Sequence, residues 1–171
     1  DILVESVEVS HGTPTLAYSI TRKDKIRINK QKLKKLKIPN SPLIRQLQEG
    51  KDIIINNKKI KAKDITYLEK GKKITIILDT SYVSSLEKFA SNSDLIICES
   101  SFSQKEEAIA REYKHLTTVQ AATIAKKSKS KKLILTHISQ RYEANMKDLE
   151  KEAKKVFKNT SLAHDLQSVE I

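Results

Sequence analysis

Three short apolar runs, each ending on a polar or ionisable residue, constrain this chain more than any other feature. Ile74-Thr75-Ile76-Ile77-Leu78 runs into Asp79-Thr80, Leu95-Ile96-Ile97-Cys98 into Glu99, and Leu133-Ile134-Leu135 into Thr136-His137. Runs this short and this rich in isoleucine read as buried strands. Helical spacing separates them, in Ser84 to Ala90, Glu106 to Tyr113, and Thr118 to Lys127 with Ala121, Ala122 and Ala125 packed inward. An amphipathic stretch, Met146 to Phe157, follows, and Leu162-Ala163 with Val169 is expected to close as a short strand. Such alternation predicts an α/β core with buried neighbouring strands. Ahead of it, Val4 to Val9 alternates apolar and charged residues and runs into Ser10-His11-Gly12, and Leu16 to Ile20 continues as a second strand.

Thr21 to Lys73 differs in composition. It is dense in lysine, holds Pro39 and Pro42, and has apolar residues too scattered for a full core face. Asn29 to Lys37 is expected to be a short helix with Leu33 and Leu36 inward, stopped before Ile38-Pro39. Ile53-Ile54-Ile55, Asn56-Asn57 and Ile60 read as a small hairpin. The whole stretch reads as an insertion protruding from a compact core.

Charge points to a partner. The chain carries 33 Lys and Arg against 21 Asp and Glu, a net +12 in 171 residues. Such an excess suits a polyanion, although a Lys-rich solvated surface explains it too. Five Tyr, three Phe and no Trp argue against a single-strand-binding platform of stacked bases, so a nucleic-acid contact would fall mostly on phosphates. No stretch approaches the roughly 18–20 apolar residues of a membrane span. The opening Asp1-Ile2-Leu3-Val4-Glu5 lacks the basic start of a secretory leader, and the lone Cys98 permits no internal disulfide. A reducing, cytoplasmic address is the expectation.

Ionisable residues gather at strand ends. His11, Asp79, Glu99 and His137 each follow a β-rich segment, and His115 opens a loop before a helix. In open α/β sheets, side chains at strand ends converge on one edge, where sites are built. Two histidines and an aspartate are suitable Zn²⁺ ligands. Spacing alone does not establish a site, because Asp79 lies 68 residues after His11 and 58 before His137. A structural role for each histidine stays open.

The words around these residues say more. Val9-Ser10-His11-Gly12, Leu78-Asp79-Thr80, Cys98-Glu99-Ser100-Ser101-Phe102, His115-Leu116-Thr117-Thr118 with Gln120-Ala121-Ala122, and Leu135-Thr136-His137-Ile138-Ser139-Gln140-Arg141-Tyr142 follow in one order. That series, with the tail Ala163-His164-Asp165-Leu166, resembles the later half of ribonuclease Z, the tRNA 3′-processing endonuclease of the metallo-β-lactamase superfamily, from about Val4 to Ile171. The resemblance implies an α/β fold that is half of an αββα sandwich, with a basic arm at about 21–73. It implies a zinc-dependent endoribonuclease that removes the 3′ trailer of precursor tRNA by phosphodiester hydrolysis, with two Zn²⁺ ions per complete site. His11 would be a ligand of one zinc, Asp79 the carboxylate bridging both ions, and His137 the last ligand of the second. His115 would protonate the leaving oxygen, Glu99 would orient it, and Arg141 would contact a phosphate near the scissile bond. The arm would clamp the tRNA through Lys32, Lys34, Lys35 and Lys37, aided by Lys51, Lys58, Lys59, Lys61 and Lys63. A solvated loop is the alternative for that stretch.

Departures from the family pattern are also legible. Ser41 stands at the arm's usual glycine, Cys98 at its usual histidine, and Leu78 where a glycine commonly precedes Asp-Thr. Cys98 would be a soft ligand or a buried inert thiol. The family's His-x-His-x-Asp-His segment is absent, the only histidines being His11, His115, His137 and His164. A fragment, a split protein completed by another polypeptide, and a degenerate paralogue are the three readings, the absent initial Met favouring the first. As half of an enzyme, the chain would be inactive until joined to the N-terminal half, from the same gene or as a separate chain. As a binding module it would be a non-catalytic basic RNA clamp; a different hydrolase of the superfamily is a third reading. Precursor tRNA and a second copy of the chain are the other implied partners, and a membrane is not.

Overall fold

Zipping the apolar runs side by side produces one large sheet, and the insertion builds a second unit of its own. The computed structural model describes residues 2–171. In chain order the elements begin with β1 (Ile2–Val9), β2 (Thr15–Arg22), β3 (Lys25–Ile28), α1 (Lys30–Lys35), α2 (Leu43–Gln48), β4 (Ile53–Ile55), β5 (Lys58–Ile60), α3 (Ala62–Ile65) and β6 (Thr66–Glu69). They continue with β7 (Lys72–Ile77), α4 (Ser85–Phe89), β8 (Leu95–Glu99), α5 (Glu107–Glu112), α6 (Thr118–Lys127), β9 (Leu133–Thr136), α7 (Met146–Lys154) and β10 (Thr160–Leu162). The stretch up to Arg22 and Lys72–Ile171 form one compact unit; Lys23–Gly71 forms the other.

The larger unit is a six-stranded sheet in the order β1-β2-β7-β8-β9-β10. β1, β2 and β7 pair antiparallel, whereas β7, β8, β9 and β10 run parallel. Register places Ile77, Cys98, Leu135 and Leu162 in one row and Thr75, Ile96 and Leu133 in another, all facing the same side. That side is buried with Leu86 of α4, Ala121, Ala122, Ile124 and Ala125 of α6, and Ala153 of α7. The alanines let α6 approach the sheet closely, and a reciprocal capping box of Thr117 and Gln120 fixes where it begins.

The opposite face is apolar and largely bare at its β1–β2 side. Ile2, Val4, Leu16 and Tyr18 are 69, 59, 45 and 43% exposed, and Ile20, Ile74, Ile76 and Ile97 beside them are half-buried. Because the central strands are parallel, the ends of β7, β8 and β9 share one edge, with Ile77 opposite Cys98 and Glu99 opposite Thr136. No helix among the described residues is long and apolar enough to cross a membrane.

The smaller unit corrects the expectation of scattered apolar residues. Ile38, Leu47, Ile53, Ala62 and Ile65 form a core there, with Leu33 packed against it. Strands β3 and β6 pair antiparallel, Lys25 facing Glu69, and the Asp24 carboxylate accepts hydrogen bonds from Lys70 Nζ (3.0 Å) and Gly71 N (2.7 Å). Asn56 and Asn57, both at positive φ (49° and 58°), turn β4 into β5 as a hairpin. Asn29 caps α1 by accepting from Lys32 N. That helix ends at Lys35, so Leu36 is its 46%-exposed C-cap and does not point inward as expected. Val169 lies outside any strand; the closing strand is β10, three residues paired with β9.

A core this small depends on its largest members. Replacing the fully buried Leu47 by Ala should cost about 2–5 kcal/mol. Hydrogen exchange should show amides of Lys23–Gly71 losing protection while those of β7, β8 and β9 keep theirs.

Candidate active site

Glu99, at the end of β8, is fully buried, and every lone-pair direction of its carboxylate is engaged. Oε1 accepts from Thr80 N (2.6 Å) and lies 2.9 Å from His115 Nδ1; Oε2 accepts from Leu116 N (3.1 Å) and Ser101 Oγ (3.0 Å). A charge in this position needs such partners, since an unpaired buried carboxylate is costly. With Nδ1–H donated to Glu99, the free nitrogen of His115 is Nε2.

Asp79 and His137 follow β7 and β9 in the left-handed region, at φ 47° and 54°. Non-glycine residues adopt this conformation rarely, and Asp and His are among those that tolerate it best. The backbone therefore turns sharply just beyond the end of each of these two strands. His137 Nδ1 lies 3.0 Å from Ser101 Oγ and 3.4 Å from Asp79 Oδ1. Ser101 thus links the Glu99 carboxylate to the His137 ring. Ligand atoms of Asp79, His115 and His137 all fall within 4.8 Å of one another.

His11 stands beside this triad. Its ring centroid is 5.0 Å from that of His115, which is in turn 5.2 Å from His137. His11 Nδ1 meets Lys114 O at 3.0 Å, which orients the ring and leaves Nε2 as its available ligand atom. Asp79 Oδ1 is shielded from solvent without a hydrogen-bond donor, although the side chain as a whole is 43% exposed. An orphaned carboxylate oxygen among imidazole nitrogens is the donor set of a cation site, and N, N and O ligands suit Zn²⁺. The residues present fit a metal.

Arg141 lines a cavity shared with His115 and His137. Its guanidinium sits 5.1 Å from the Phe102 ring centroid and pairs with Glu106 at 3.0 Å. A cavity of about 440 Å³ is lined by Phe102, Tyr113, His115, His137, Gln140 and Arg141, among others. Lys32, Lys34 and Lys35 lie on α1 and Lys37 just beyond it, all exposed in the smaller unit and without ion pairs among the described residues. Cys98 is a buried free thiol outside the Asp79–His115–His137 cluster. It is fully buried on the helix-covered face, and burial, with the nearby Glu99 charge, pushes its pKa well above the ordinary value. His164 is exposed and belongs to none of these clusters.

Two supporting residues escape sequence reading. Ser101 belongs to the segment Cys98-Glu99-Ser100-Ser101-Phe102 but carries no periodic or motif signal for its double contact. Glu152, on α7, accepts from Ser103 Oγ (3.3 Å), Gln104 N (3.1 Å) and the Thr118 hydroxyl, partners 34–49 residues away in sequence. Phe102 N donates to Leu116 O and Thr118 N to Phe102 O, so Glu152 ties down both strands of the loop that carries His115.

No protein-family model matches the chain. Among solved structures, the metallo-beta-lactamase fold protein YhfI from Bacillus subtilis superposes with a TM-score of 0.61 at 19% identity, covering 95% of this chain and 47% of that one. Human tRNase Z, short form, superposes with a TM-score of 0.56 at 22% identity, covering 99% and 44%. The fold is that of the metallo-β-lactamases. By sequence, the chain is 41% identical over 143 residues to ribonuclease Z of Nanoarchaeum equitans, covering 84% of this chain and 45% of that one. It is 40% identical over 163 residues to ribonuclease Z of Listeria monocytogenes, covering 93% and 53%. The chain is a ribonuclease Z homologue, and it spans about half the length of the relatives it matches.

The Glu99 cluster has a direct thermodynamic consequence. In Glu99→Gln one oxygen becomes an NH₂ group that must face a donor, the amide of Thr80 or of Leu116 with its neighbour. The variant should lose about 1–3 kcal/mol in urea unfolding. Unchanged stability would mean the four contacts do not hold the site together.

Proposed function

We propose that this chain is the C-terminal half of a zinc-dependent endoribonuclease that removes the 3′ trailer of precursor tRNA, active when joined to the half that carries the remaining ligands. The Glu99–His115 pair beside Asp79 and His137 carries the reading. It sets a positioned imidazole next to candidate metal ligands, the requirement for protonating a leaving oxygen at a metal-assisted phosphodiesterase. Asp79 and His137, with His11 alongside, would hold the ions, which would supply hydroxide at neutral pH and charge stabilisation for the phosphate. Glu99 keeps the Nδ1 proton of His115 in place, so that Nε2 can deliver a proton to the departing oxygen. Arg141, which lines the cavity, would contact a phosphate oxygen.

Two further observations support the half-protein reading. The chain spans about half of its relatives, and one sheet face leaves Ile2, Val4, Leu16 and Tyr18 exposed. A second sheet packed on that face would bury it. RNA binding is supported by where the charge lies. Between Lys23 and Gly71 there are 15 Lys and Arg against 5 Asp and Glu, so +10 of the net +12 belongs to the smaller unit. That concentration also favours the second reading, a basic RNA-binding module without turnover.

Metal content and single-turnover cleavage, measured on the chain with its complementary half, separate these roles. Asp79→Ala and His137→Ala should lose metal and cleavage together. His115→Ala should keep its metal and lose about 10²- to 10⁴-fold in rate. An activated phosphodiester, whose leaving group needs no proton, should restore His115→Ala but not Asp79→Ala. Loss of metal in His115→Ala would make it a ligand, and cleavage by none of the proteins would leave the binding-module reading.

Salt dependence tests the clamp. Changing Lys32, Lys34, Lys35 and Lys37 together to Ala should weaken tRNA binding and flatten the slope of log K against log salt, by about one unit per lost phosphate contact. An unchanged slope would remove these four lysines from the interface.

A further inference from the structure

We infer that the cavity beside His115 and His137 is a nucleobase subsite, in which the Tyr113 ring and the Arg141 guanidinium hold the base of a nucleotide next to the scissile phosphate. Placing that nucleotide next to the scissile bond rests on the phosphodiesterase reading; the affinity for a base does not. The back wall is Phe102, 6% exposed and pinned through its backbone to Leu116 and Thr118. Tyr113 stacks on it, with centroids 6.4 Å apart and planes inclined by 28°. Arg141 covers Phe102 as well, and its ion pair with Glu106 restrains the guanidinium over the ring.

Core packing accounts for Phe102 and leaves Tyr113 unexplained. Tyr113 is 60% exposed, at the C-cap of α5, and its ring lines the cavity together with His115 and His137. An exposed aromatic ring held by stacking, beside a cation and two imidazoles, offers a base a π-face and charge at once. Gln140, exposed, also lines the cavity, and its side-chain amide is a donor and acceptor for the edge of a base. The cavity, about 440 Å³, lies within the range of small-ligand sites, roughly 300–1,000 Å³. Such a subsite is sequence-tolerant, because every base has a stacking face. One stack differs from the extended platform that the aromatic-poor composition argues against.

The test uses single-stranded RNA trinucleotides and analogues lacking the base at each position in turn, which keep every phosphate. Binding is measured with the unaltered chain, Tyr113→Ala and Tyr113→Trp, alone and with the complementary half. Tyr113→Ala should weaken binding of the intact trinucleotide by about 5- to 150-fold, and Tyr113→Trp should retain it. One abasic analogue should bind the unaltered chain as weakly as the intact trinucleotide binds Tyr113→Ala, with no further loss from that substitution. Equal effects of Tyr113→Ala on every analogue, no effect at all, or no measurable binding would each overturn the subsite. Precursor tRNA lacking the same base is cleaved in parallel. Base-dependent binding without cleavage sinks the phosphodiesterase reading and keeps the subsite; cleavage indifferent to the base does the reverse.

Discussion

A single buried carboxylate organises the site. Glu99 accepts from the chain that follows β7 at Thr80, from the loop of its own strand at Ser101, and from His115 and Leu116 of the loop before α6. Through Ser101 it reaches His137 beyond β9. Removing a charge from water is expensive, and only this full set of donors offsets the cost. The requirement works in both directions. The carboxylate can be buried only when the segments have arrived, and once buried it holds them in register. Site geometry is therefore a by-product of satisfying one charge during folding, with Glu152 bracing the same loop from α7.

The two units divide the electrostatic work. The sheet unit carries 18 Lys and Arg against 16 Asp and Glu, close to neutral, while the smaller unit holds the remaining excess of ten positive charges. A near-neutral frame does not oppose a cluster of candidate metal ligands by self-repulsion, and a strongly basic unit attracts polyanions over a Debye length. In the proposed enzyme, attraction of substrate would then depend on salt through one unit while the chemical step proceeds in the other.

Much of the sheet unit was legible because its signals are local. The runs at Ile74, Leu95 and Leu133 are contiguous, and α6 spans Thr118–Lys127 as its alanine spacing predicts. Parallel pairing of those runs is what brings Asp79, Glu99 and His137 to one edge, so a pattern of strand ends already contained the outline of a site. The small unit was harder to read for a physical reason. Its core draws Ile38, Leu47, Ile53, Ala62 and Ile65 from separate short segments, one or two residues each, which leaves no periodicity to detect. Leu36 was misplaced because α1 stops one residue before it, and Val169 because an isolated apolar residue near the chain end carries no pairing information. Glu152 and the cavity wall depend on contacts across tens of residues, beyond the reach of any window, and no periodicity marks Tyr113.

The way the chain leaves and re-enters the sheet has consequences for descent. Arg22, the last residue of β2, is paired with Lys72, the first of β7, so the two strands would join by a hairpin turn if nothing lay between them. Inside the excursion, β3 and β6 pair and Asp24 bonds back to Lys70 and Gly71. Closing a longer loop costs little more than closing a shorter one, because the entropy grows only with the logarithm of length. A lineage can therefore lengthen, shorten or exchange this excursion without shifting the register of a single core strand. Change in length or composition is thereby confined to the small unit, and the strand ends that carry Asp79, Glu99 and His137 keep their places.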